Sequence, residues 1–158
     1  MVKLESGGSY LIGKDNGPGV QDKWMLFLSH NNTPRGDIPQ GLYFHAYNGE
    51  NGVWLARASQ PGLNDGKWHH VMYTREGHLH RIFIDGFLAG SESNSILLPS
   101  GISAPLTIGG AEGAGWVKGS LDQVRIYNRA LSAAEKHRAV FPAFFISHPS
   151  PVFVLPPV

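Results

Sequence analysis

The sequence predicts an all-β fold, either a sandwich or a barrel of short strands, and three observations support this prediction. Glycine contributes 20 and proline 11 of the 158 residues, so few windows lack both for long enough to hold a long helix. Short runs of strand-forming residues recur between clusters of turn-forming residues, which is typical of all-β folds. The chain has no alternation of helical and strand patterns, so a parallel α/β sheet is not expected.

Nine runs are predicted as strands, and turn signals separate them. They span residues 9–14, 24–29, 42–47, 52–56, 68–74, 80–88, 95–98, 106–109 and 120–127. The main turn clusters are rich in Asn, Asp and Gly, and they lie at residues 16–19, 31–37, 48–52 and 64–66.

The strands on either side of residues 75–78 are predicted to form a hairpin. A two-residue loop of Glu76 and Gly77 places Thr74 opposite Leu79 in this prediction. The same register brings the start of the first strand near the end of the second.

One short helix is predicted near the C-terminus. Ser132 and Glu135 form a capping box, in which each side chain satisfies a backbone N–H of the first turn. Basic residues follow at 136–138, where they suit the negative end of a helix. Pro142 ends the helix.

The last 18 residues differ from the rest, and we treat residues 1–140 as the domain and residues 141–158 as a tail. The tail holds five of the 11 prolines, no Asp, Glu, Lys or Arg, and many large apolar side chains. Such a segment is poorly suited to water. We expect it to pack on its own domain or on a neighbouring subunit.

Composition excludes several classes of function. The net charge of +1 makes the electrostatic case for a nucleic-acid partner weak, so none is expected. No apolar run approaches the length of a membrane span, so membrane insertion is not expected. The chain has no cysteine and therefore no disulfide. Its first residues lack the apolar core of a signal peptide, so we expect either a cytoplasmic protein or a signal already removed.

Four motifs occur in order between residues 65 and 135. Residues 65–71 read DGKWHHV, residues 82–86 read IFIDG, residues 106–110 read LTIGG, and residues 119–135 read GSLDQVRIYNRALSAAE. These motifs resemble the laminin-G-like domains of the concanavalin A-like lectin/glucanase superfamily, whose pattern is DGxWHHV, YxDG, IGG and GxIDxVRIYNRALSxxE. The resemblance covers roughly residues 9–140, and it implies a jelly-roll β-sandwich of two antiparallel sheets.

The chain departs from this family at its front. Fuller members have several strands before the segment that matches residues 9–14, whereas this chain begins almost at that segment. The resemblance therefore implies a sandwich with uncovered apolar faces and sheet edges, which invite pairing. We expect the tail or a second copy to cover them, and we predict a homodimer or a higher homo-oligomer.

The acidic residues argue against a glycosidase. Sandwich glycosidases of this superfamily carry paired carboxylates on one strand face, where two acids flank one glycosidic bond. No two of the 12 acids in this chain are closer than seven positions, although a pair across two strands stays open. The chain also has no Cys nucleophile and no GxSxG motif. We predict that the protein is not an enzyme.

Zinc and calcium are the two candidate metals. His69 and His70 point to opposite faces of a strand, and His78 and His80 lack the third and fourth ligands of a zinc site. For calcium, the resemblance implies a ligand at Asp122, the acid at the head of the last motif. The alternative is that the Asp122 carboxylate accepts hydrogen bonds from turn amides or pairs with an arginine.

A strand with alternating aromatic residues is one candidate sugar platform. Tyr43, His45 and Tyr47 lie on one predicted face, and the apolar residues 42, 44 and 46 lie on the other. Aromatic rings cover the apolar faces of a sugar, and polar groups bond its hydroxyls. The alternatives are cross-strand packing and a second interface.

The four tryptophans and Tyr127 divide into two groups. Trp54, beside a turn cluster, and Trp116, in a glycine-rich loop, are the candidate ligand contacts. Trp24, Trp68 and Tyr127 are predicted to lie mostly in the core.

The function predicted is a non-catalytic, lectin-like carbohydrate-binding module that calcium could stabilise. The resemblance carries most of this prediction, since one fold hosts many functions. The alternative is a self-assembling structural or protein-interaction module, and a glycoside hydrolase is disfavoured. The family is mostly extracellular or attached to the cell surface, which leaves the localisation open.

Overall fold

The computed structural model describes residues 1–5, 9–15, 17, 22–29, 41–48, 52–58, 62–95, 98–99, 101–110 and 116–140. Within them lie eleven strands and one helix: β1 Val2–Leu4, β2 Ser9–Lys14, β3 Lys23–Leu28, β4 Leu42–Tyr47, β5 Gly52–Arg57, β6 Trp68–His69, β7 Val71–Glu76, β8 Leu79–Ile84, β9 Phe87–Ser93, β10 Leu106–Ile108, β11 Gly119–Leu121 and α1 Ala133–Val140. The predicted all-β fold with one helix near the C-terminus is confirmed. The tail, 141–158, lies outside the described residues.

One layer is a five-stranded antiparallel sheet in the order β10-β2-β3-β4-β5. Alternation along the strands explains which side chains turn inward. Leu26 and Leu28 of β3 and Phe44 and Ala46 of β4 belong to the buried apolar cluster. Leu28 pairs with Leu42 and Leu26 with Phe44, so the two apolar rows lie side by side.

The remaining strands form two three-stranded sheets, in the orders β11-β1-β6 and β7-β8-β9. A single residue, His70, separates β6 from β7, and β1 is a strand that the sequence pattern did not predict. The ring of Phe44 in β4 stacks on that of Tyr73 in β7, with centroids 3.7 Å apart and planes at 2°. Ile82 and Ile84 of β8 join the same buried cluster, and the predicted β-sandwich is confirmed.

A glycine permits close contact between β9 and the end of β5. A Cβ atom on Gly90 would lie 1.7 Å from the carbonyl oxygen of Arg57 and 3.2 Å from the Cα of Ala58. Only a residue without a side chain allows the two backbones to approach this closely.

The hairpin of β7 and β8 is confirmed, but its predicted register is wrong. Glu76 pairs with Leu79 and Thr74 with Arg81, so the two loop residues are Gly77 and His78. Gly77 has φ 59°, the left-handed conformation that the first loop position of a type II′ turn requires. The prediction put glycine at the second loop position instead.

The predicted strand 80–88 is in fact two strands. A turn at Asp85 and Gly86, with φ 50° and 85°, ends β8 and starts β9. Both loop residues have positive φ, as a type I′ hairpin requires. The Asp-Gly turn signal therefore outweighs the apolar run on either side of it.

The C-terminal part follows the prediction only at the helix. Ser132 N–H donates to Glu135 Oε2 at 2.9 Å and Glu135 N–H donates to Ser132 Oγ at 3.3 Å, so the capping box is confirmed. The predicted strand 120–127 is mostly wrong, because β11 ends at Leu121. The predicted strand 95–98 is absent at both of its described residues, Ser95 and Leu98. No helix in the described part of the chain has the length and apolarity needed to cross a membrane.

Candidate functional site

The predicted platform on β4 is only partly exposed. Tyr43 is 0% exposed, so its assignment as a surface sugar contact is wrong. Tyr43 belongs to a row of rings across three strands, in which Phe27 pairs with Tyr10 on one side and with Tyr43 on the other. Phe27 stacks on Tyr10 with centroids 5.3 Å apart and on Tyr43 with centroids 5.8 Å apart. For Tyr43, the alternative of cross-strand packing is the correct one.

The other two members of the platform stay at the surface. His45 and Tyr47 are half-buried, and their rings meet edge to face with centroids 6.4 Å apart. Trp54 lies in β5, where its Cα is the partner of the His45 Cα, while its side chain lies outside the described part of the structure. The fold therefore brings these three predicted residues to one strand pair.

Trp116 forms a separate surface. Its side chain is 64% exposed, although a Cβ atom on Gly110 would lie 2.6 Å from the indole Cε3. The indole therefore rests against the backbone of Gly110, while most of its surface meets solvent. The Val117 N–H donates to the Gly109 carbonyl at 2.9 Å and holds this segment against the loop after β10.

These two surfaces lie at opposite edges of the five-stranded sheet. Trp116 adjoins the loop after β10, the first strand of the sheet, and Trp54 lies on β5, the last strand. Four strand spacings separate β10 from β5, which amounts to about 19 Å. The predicted ligand contacts do not form one site.

Two further aromatic assignments are wrong. Trp68 is 46% exposed and Tyr127 is 43% exposed, whereas both were predicted to lie mostly in the core. β6 is only two residues long, and Tyr127 follows β11 in a segment with no strand partner among the described residues. Trp24 packs against the buried cluster as predicted, with its ring 6.0 Å from that of Phe44.

A polar cluster that the sequence did not reveal joins the DGKWHHV and IFIDG motifs. His69 Nδ1 lies 2.7 Å from Asp85 Oδ2, and His69 Nε2 lies 3.1 Å from Asp65 Oδ1. The second oxygen of Asp85 accepts the N–H of His70 at 2.7 Å. An Asp-Gly turn beside a histidine strand was the available signal, but only the register of β7 and β8 brings the groups together.

The protonation of this cluster follows from its contacts. The N–H of Lys67 and the imidazole of His69 lower the pKa of Asp65 to about 2. Burial lowers the pKa of His69, but the hydrogen bonds to Asp85 and Asp65 outweigh it and raise the pKa overall. An imidazolium can donate from both nitrogens at once, whereas neutral imidazole can donate from only one.

The positions of Asp65, His69 and Asp85 also bear on whether the protein could be a glycosidase. Asp65 and Asp85 are two acids that are distant in the chain but lie on either side of one imidazole. The ring of His69 occupies the space between their carboxylates, which a glycosidase would leave for a glycosidic bond. The cluster connects the loop before β6 with the turn after β8.

Metal binding finds little support in the described residues. No group of three or more His, Asp or Glu side chains among them could hold a metal ion. The Asp122 carboxylate accepts the N–H of Gln123 at 2.7 Å, and the positively charged amino group of Met1 bonds to the Asp122 carbonyl at 2.7 Å. The described contacts of the Asp122 carboxylate therefore amount to one turn amide, which was the alternative to calcium, whereas a calcium ion takes six to eight oxygen ligands.

His80, one of the histidines considered for zinc, contacts a tyrosine in the interior of the protein. It is fully buried, and its Nδ1 lies 2.7 Å from the hydroxyl oxygen of Tyr73. Burial lowers the pKa of His80 and raises the pKa of Tyr73, so both are neutral near pH 7. His80 Nε2 is buried without a partner among the described residues.

An apolar cavity of about 650 Å³ lies between β7 and residues 123–127. Its lining includes Leu11, Leu26 and Phe44 of the core, together with Val124 and Ile126. Its apolar lining distinguishes it from the Trp116 surface.

No curated protein matches the chain. A solved structure to which it is similar is the crystal structure of an S-layer domain-containing protein, residues 221–444, from Clostridium thermocellum ATCC 27405. The two share 20% identity at a TM-score of 0.44, and the match covers 89% of this chain and 66% of that chain. This chain therefore spans just under two thirds of that one.

The family comparison agrees with the motifs and the fold. The family described as the concanavalin A-like lectin/glucanases superfamily matches residues 3–135. With its four motifs, its antiparallel sandwich and this match, the chain belongs to the concanavalin A-like lectin/glucanase superfamily.

Proposed function

We propose that this protein is a non-catalytic, lectin-like module that recognises carbohydrate, with the indole of Trp116 as its stacking surface. The observation that carries the proposal is the position of Trp116, which is 64% exposed while its ring rests against Gly110. A ring supported by backbone has little freedom to lose when a ligand binds. Its exposed face suits the apolar C–H face of a sugar ring.

The His45–Tyr47 surface is a secondary contact in this proposal. The imidazole and the phenol both combine an aromatic ring with hydrogen-bonding groups, and both are half-buried. It lies across the sheet from Trp116, so an extended glycan could contact both surfaces whereas a monosaccharide could not.

The non-catalytic part of the proposal rests on the acids. Asp65 and Asp85 flank His69 and leave no room for a sugar between them. Three glutamates are paired with arginines: Glu92 with Arg57 at 2.9 Å, Glu76 with Arg81 at 3.2 Å and Glu135 with Arg129 at 2.6 Å. Neither arrangement provides an acid and a free nucleophile on opposite sides of one bond.

A glycan array with and without calcium, probed with purified protein, tests the proposal. We expect Trp116→Ala to weaken binding by at least tenfold, because the burial of one aromatic side chain contributes about 1.5–3 kcal/mol. Trp68→Ala is the matched control, since Trp68 is also an exposed tryptophan but lies on β6. Binding that is equally strong in Trp116→Ala, or turnover of a polysaccharide, would contradict the proposal.

A self-assembling interaction module is the second candidate, and exposed apolar side chains favour it. Phe87 is 76% exposed, and Leu88 and Ile126 are also exposed. Apolar residues exposed at a turn and along an unpaired segment favour contact with another copy. A stable dimer mass in solution together with no glycan binding would support this candidate over the first.

A further inference from the structure

The imidazole of His69 lies between two carboxylates that come from different parts of the chain. Its Nε2 is 3.1 Å from Asp65 Oδ1, in the loop before β6, and its Nδ1 is 2.7 Å from Asp85 Oδ2, in the turn after β8. A carboxylate oxygen only accepts hydrogen bonds, so each contact needs a proton on the ring nitrogen that faces it. Both contacts therefore form together only while His69 is an imidazolium.

The two carboxylates are not held equally firmly. Asp85 is fixed to the start of β7, since its second oxygen accepts the His70 N–H at 2.7 Å and its own N–H donates to the His70 carbonyl at 2.8 Å. The other described contacts of the Asp65 carboxylate are with Lys67 of the same loop, whose N–H donates to Oδ1 at 2.9 Å and whose Nζ lies 3.3 Å from Oδ2. Asp65 can therefore move together with its loop, whereas Asp85 is held by a strand.

Loss of one proton from His69 affects the two contacts differently. The shorter bond, to the fixed Asp85, keeps the remaining proton on Nδ1. The lone pair of Nε2 then faces Asp65, which is ionised near neutral pH because the N–H of Lys67 and the imidazole of His69 lower its pKa to about 2. A lone pair and a carboxylate oxygen repel each other, so Asp65 is the partner that separates.

The part of the loop that can move is short, because it is fixed at both ends. Leu63 is 4% exposed and belongs to the buried apolar cluster, and Trp68 pairs with Lys3 of β1. Between these ends, the Gly66 N–H donates to a carbonyl of β1 at 2.9 Å. Among the described contacts, the bond from Asp65 to His69 is the one that joins a side chain of residues 64–67 to a strand.

We propose that His69 is a pH-sensitive switch for residues 64–67: the imidazolium holds this segment in place, and the neutral imidazole releases it. In this step the proton on Nε2 passes to solvent, the hydrogen bond to Asp65 breaks, and the bond from Nδ1–H to Asp85 remains. The pairing of β7 with β8 does not depend on the step, so the opening is local.

The neighbouring charges set the direction of the switch. Burial lowers the pKa of His69, but the hydrogen bonds to Asp85 and Asp65 outweigh it and raise the pKa above its ordinary value of about 6.5. The segment is therefore held below that pH and is released as the pH rises through the raised pKa. The ammonium of Lys67 does not oppose the release, because its partner is Asp65 and both belong to the same segment.

The strands packed against His69 do not change this direction. β1 places Val2 opposite His69 and Lys3 opposite Trp68, so Lys3 points to the other face of this strand pair. His70, at the start of β7, is neutral near pH 7 because burial lowers its pKa. The protonation of His69 therefore depends mainly on the two carboxylates.

Nitrogen-15 NMR of the full chain tests which proton is lost. We expect the His69 ring to titrate between pH 6 and pH 9 and to keep its last proton on Nδ1, which the chemical shifts of the two ring nitrogens distinguish. A neutral ring with its proton on Nε2 would overturn the inference, because Asp85 would then be the partner that separates.

Amide hydrogen exchange over the same pH range tests the movement of the segment. The protection factor of the Gly66 amide, corrected for the intrinsic exchange rate at each pH, should fall by about fivefold from pH 6 to pH 9. The His70 amide, which donates to Asp85, should keep its protection and is the internal control. Unchanged protection of Gly66, or loss of protection at both amides together, would overturn the inference.

Asp65→Asn is the matched variant. The new carboxamide keeps an oxygen for the Lys67 N–H, and its own N–H can donate to the lone pair of the neutral His69 ring. The segment should then stay in place at both pH values, so the change at Gly66 should disappear although His69 still titrates. A fall of the same size in Asp65→Asn would contradict the inference, because the movement would not depend on the contact between Asp65 and His69.

Discussion

His69 and Asp85 are joined by a hydrogen bond of 2.7 Å between the imidazole Nδ1 and the carboxylate Oδ2. The bond connects the DGKWHHV motif to the turn of the IFIDG motif, which lie on different strands. The other oxygen of Asp85 accepts the N–H of His70 at 2.7 Å, so one carboxylate holds both histidines of the first motif. The two motifs are therefore one structural unit in this chain.

Replacing Asp85 should destabilise the domain. Asp85→Ala removes the acceptor for His69 and for the backbone of His70, and we expect a loss of about 2 kcal/mol in the free energy of unfolding. Asp85→Asn should cost less, since asparagine tolerates φ 50° and keeps one acceptor. Urea denaturation measures both. Asp122→Ala is the control, because that exposed carboxylate accepts only the N–H of the next residue among its described contacts.

The stabilisation that His69 provides should depend on pH. The pKa of His69 is raised in the folded protein, so its contribution is fully present below the unfolded value of about 6.5 and is lost as the pH rises through the folded pKa. The unfolding free energies of wild type and His69→Gln should therefore differ more at pH 6 than at pH 9. We expect a change of about 1 kcal/mol or less for this partly exposed group. A difference that grows with pH would contradict the assignment.

Chelation should leave the melting temperature unchanged within about 1 °C, because no group of acidic side chains in the described part of the chain could hold a metal ion with Asp122. Thermal unfolding in EDTA and in millimolar calcium measures this. A rise in melting temperature with calcium that Asp122→Ala abolishes would instead establish the calcium site that the family resemblance implies.

The sequence predicts the local features of this fold better than its long-range contacts. The Ser132–Glu135 capping box and the alternation along β4 are decided by neighbours in the chain, and both are read correctly. Register and exposure depend on other strands. Glycine at position 77 shifts the hairpin by one residue because the turn type decides which loop position needs positive φ. Tyr43 is fully buried and lies in one row with rings of β2 and β3, which the alternation along β4 alone cannot show.

Gly90→Ala should be among the most damaging single changes. The new Cβ would lie 1.7 Å from the Arg57 carbonyl oxygen, which is backbone and cannot turn aside. We expect a loss of about 3 kcal/mol or more, or failure to fold. Gly101→Ala is the matched control, because Gly101 has φ 74° but nothing within 4 Å of an added Cβ. It should lose only the roughly 1 kcal/mol of a left-handed conformation, and equal losses in both variants would contradict the close approach of β9 to β5.

Tyr73 and His80 form the last testable pair, a buried contact of 2.7 Å between the hydroxyl and Nδ1. Tyr73→Phe keeps the ring that stacks on Phe44 but leaves His80 Nδ1 buried without its partner, so we expect a loss of about 1–3 kcal/mol. Burial lowers the pKa of His80, so the unfolded chain binds a proton there before the folded protein does, and stability should fall as the pH drops below about 6.5. Urea denaturation of wild type and His80→Gln at pH 7 and pH 5 measures this effect. The wild type should lose more stability than the variant over this interval, and the reverse order would mean that His80 is charged in the folded protein.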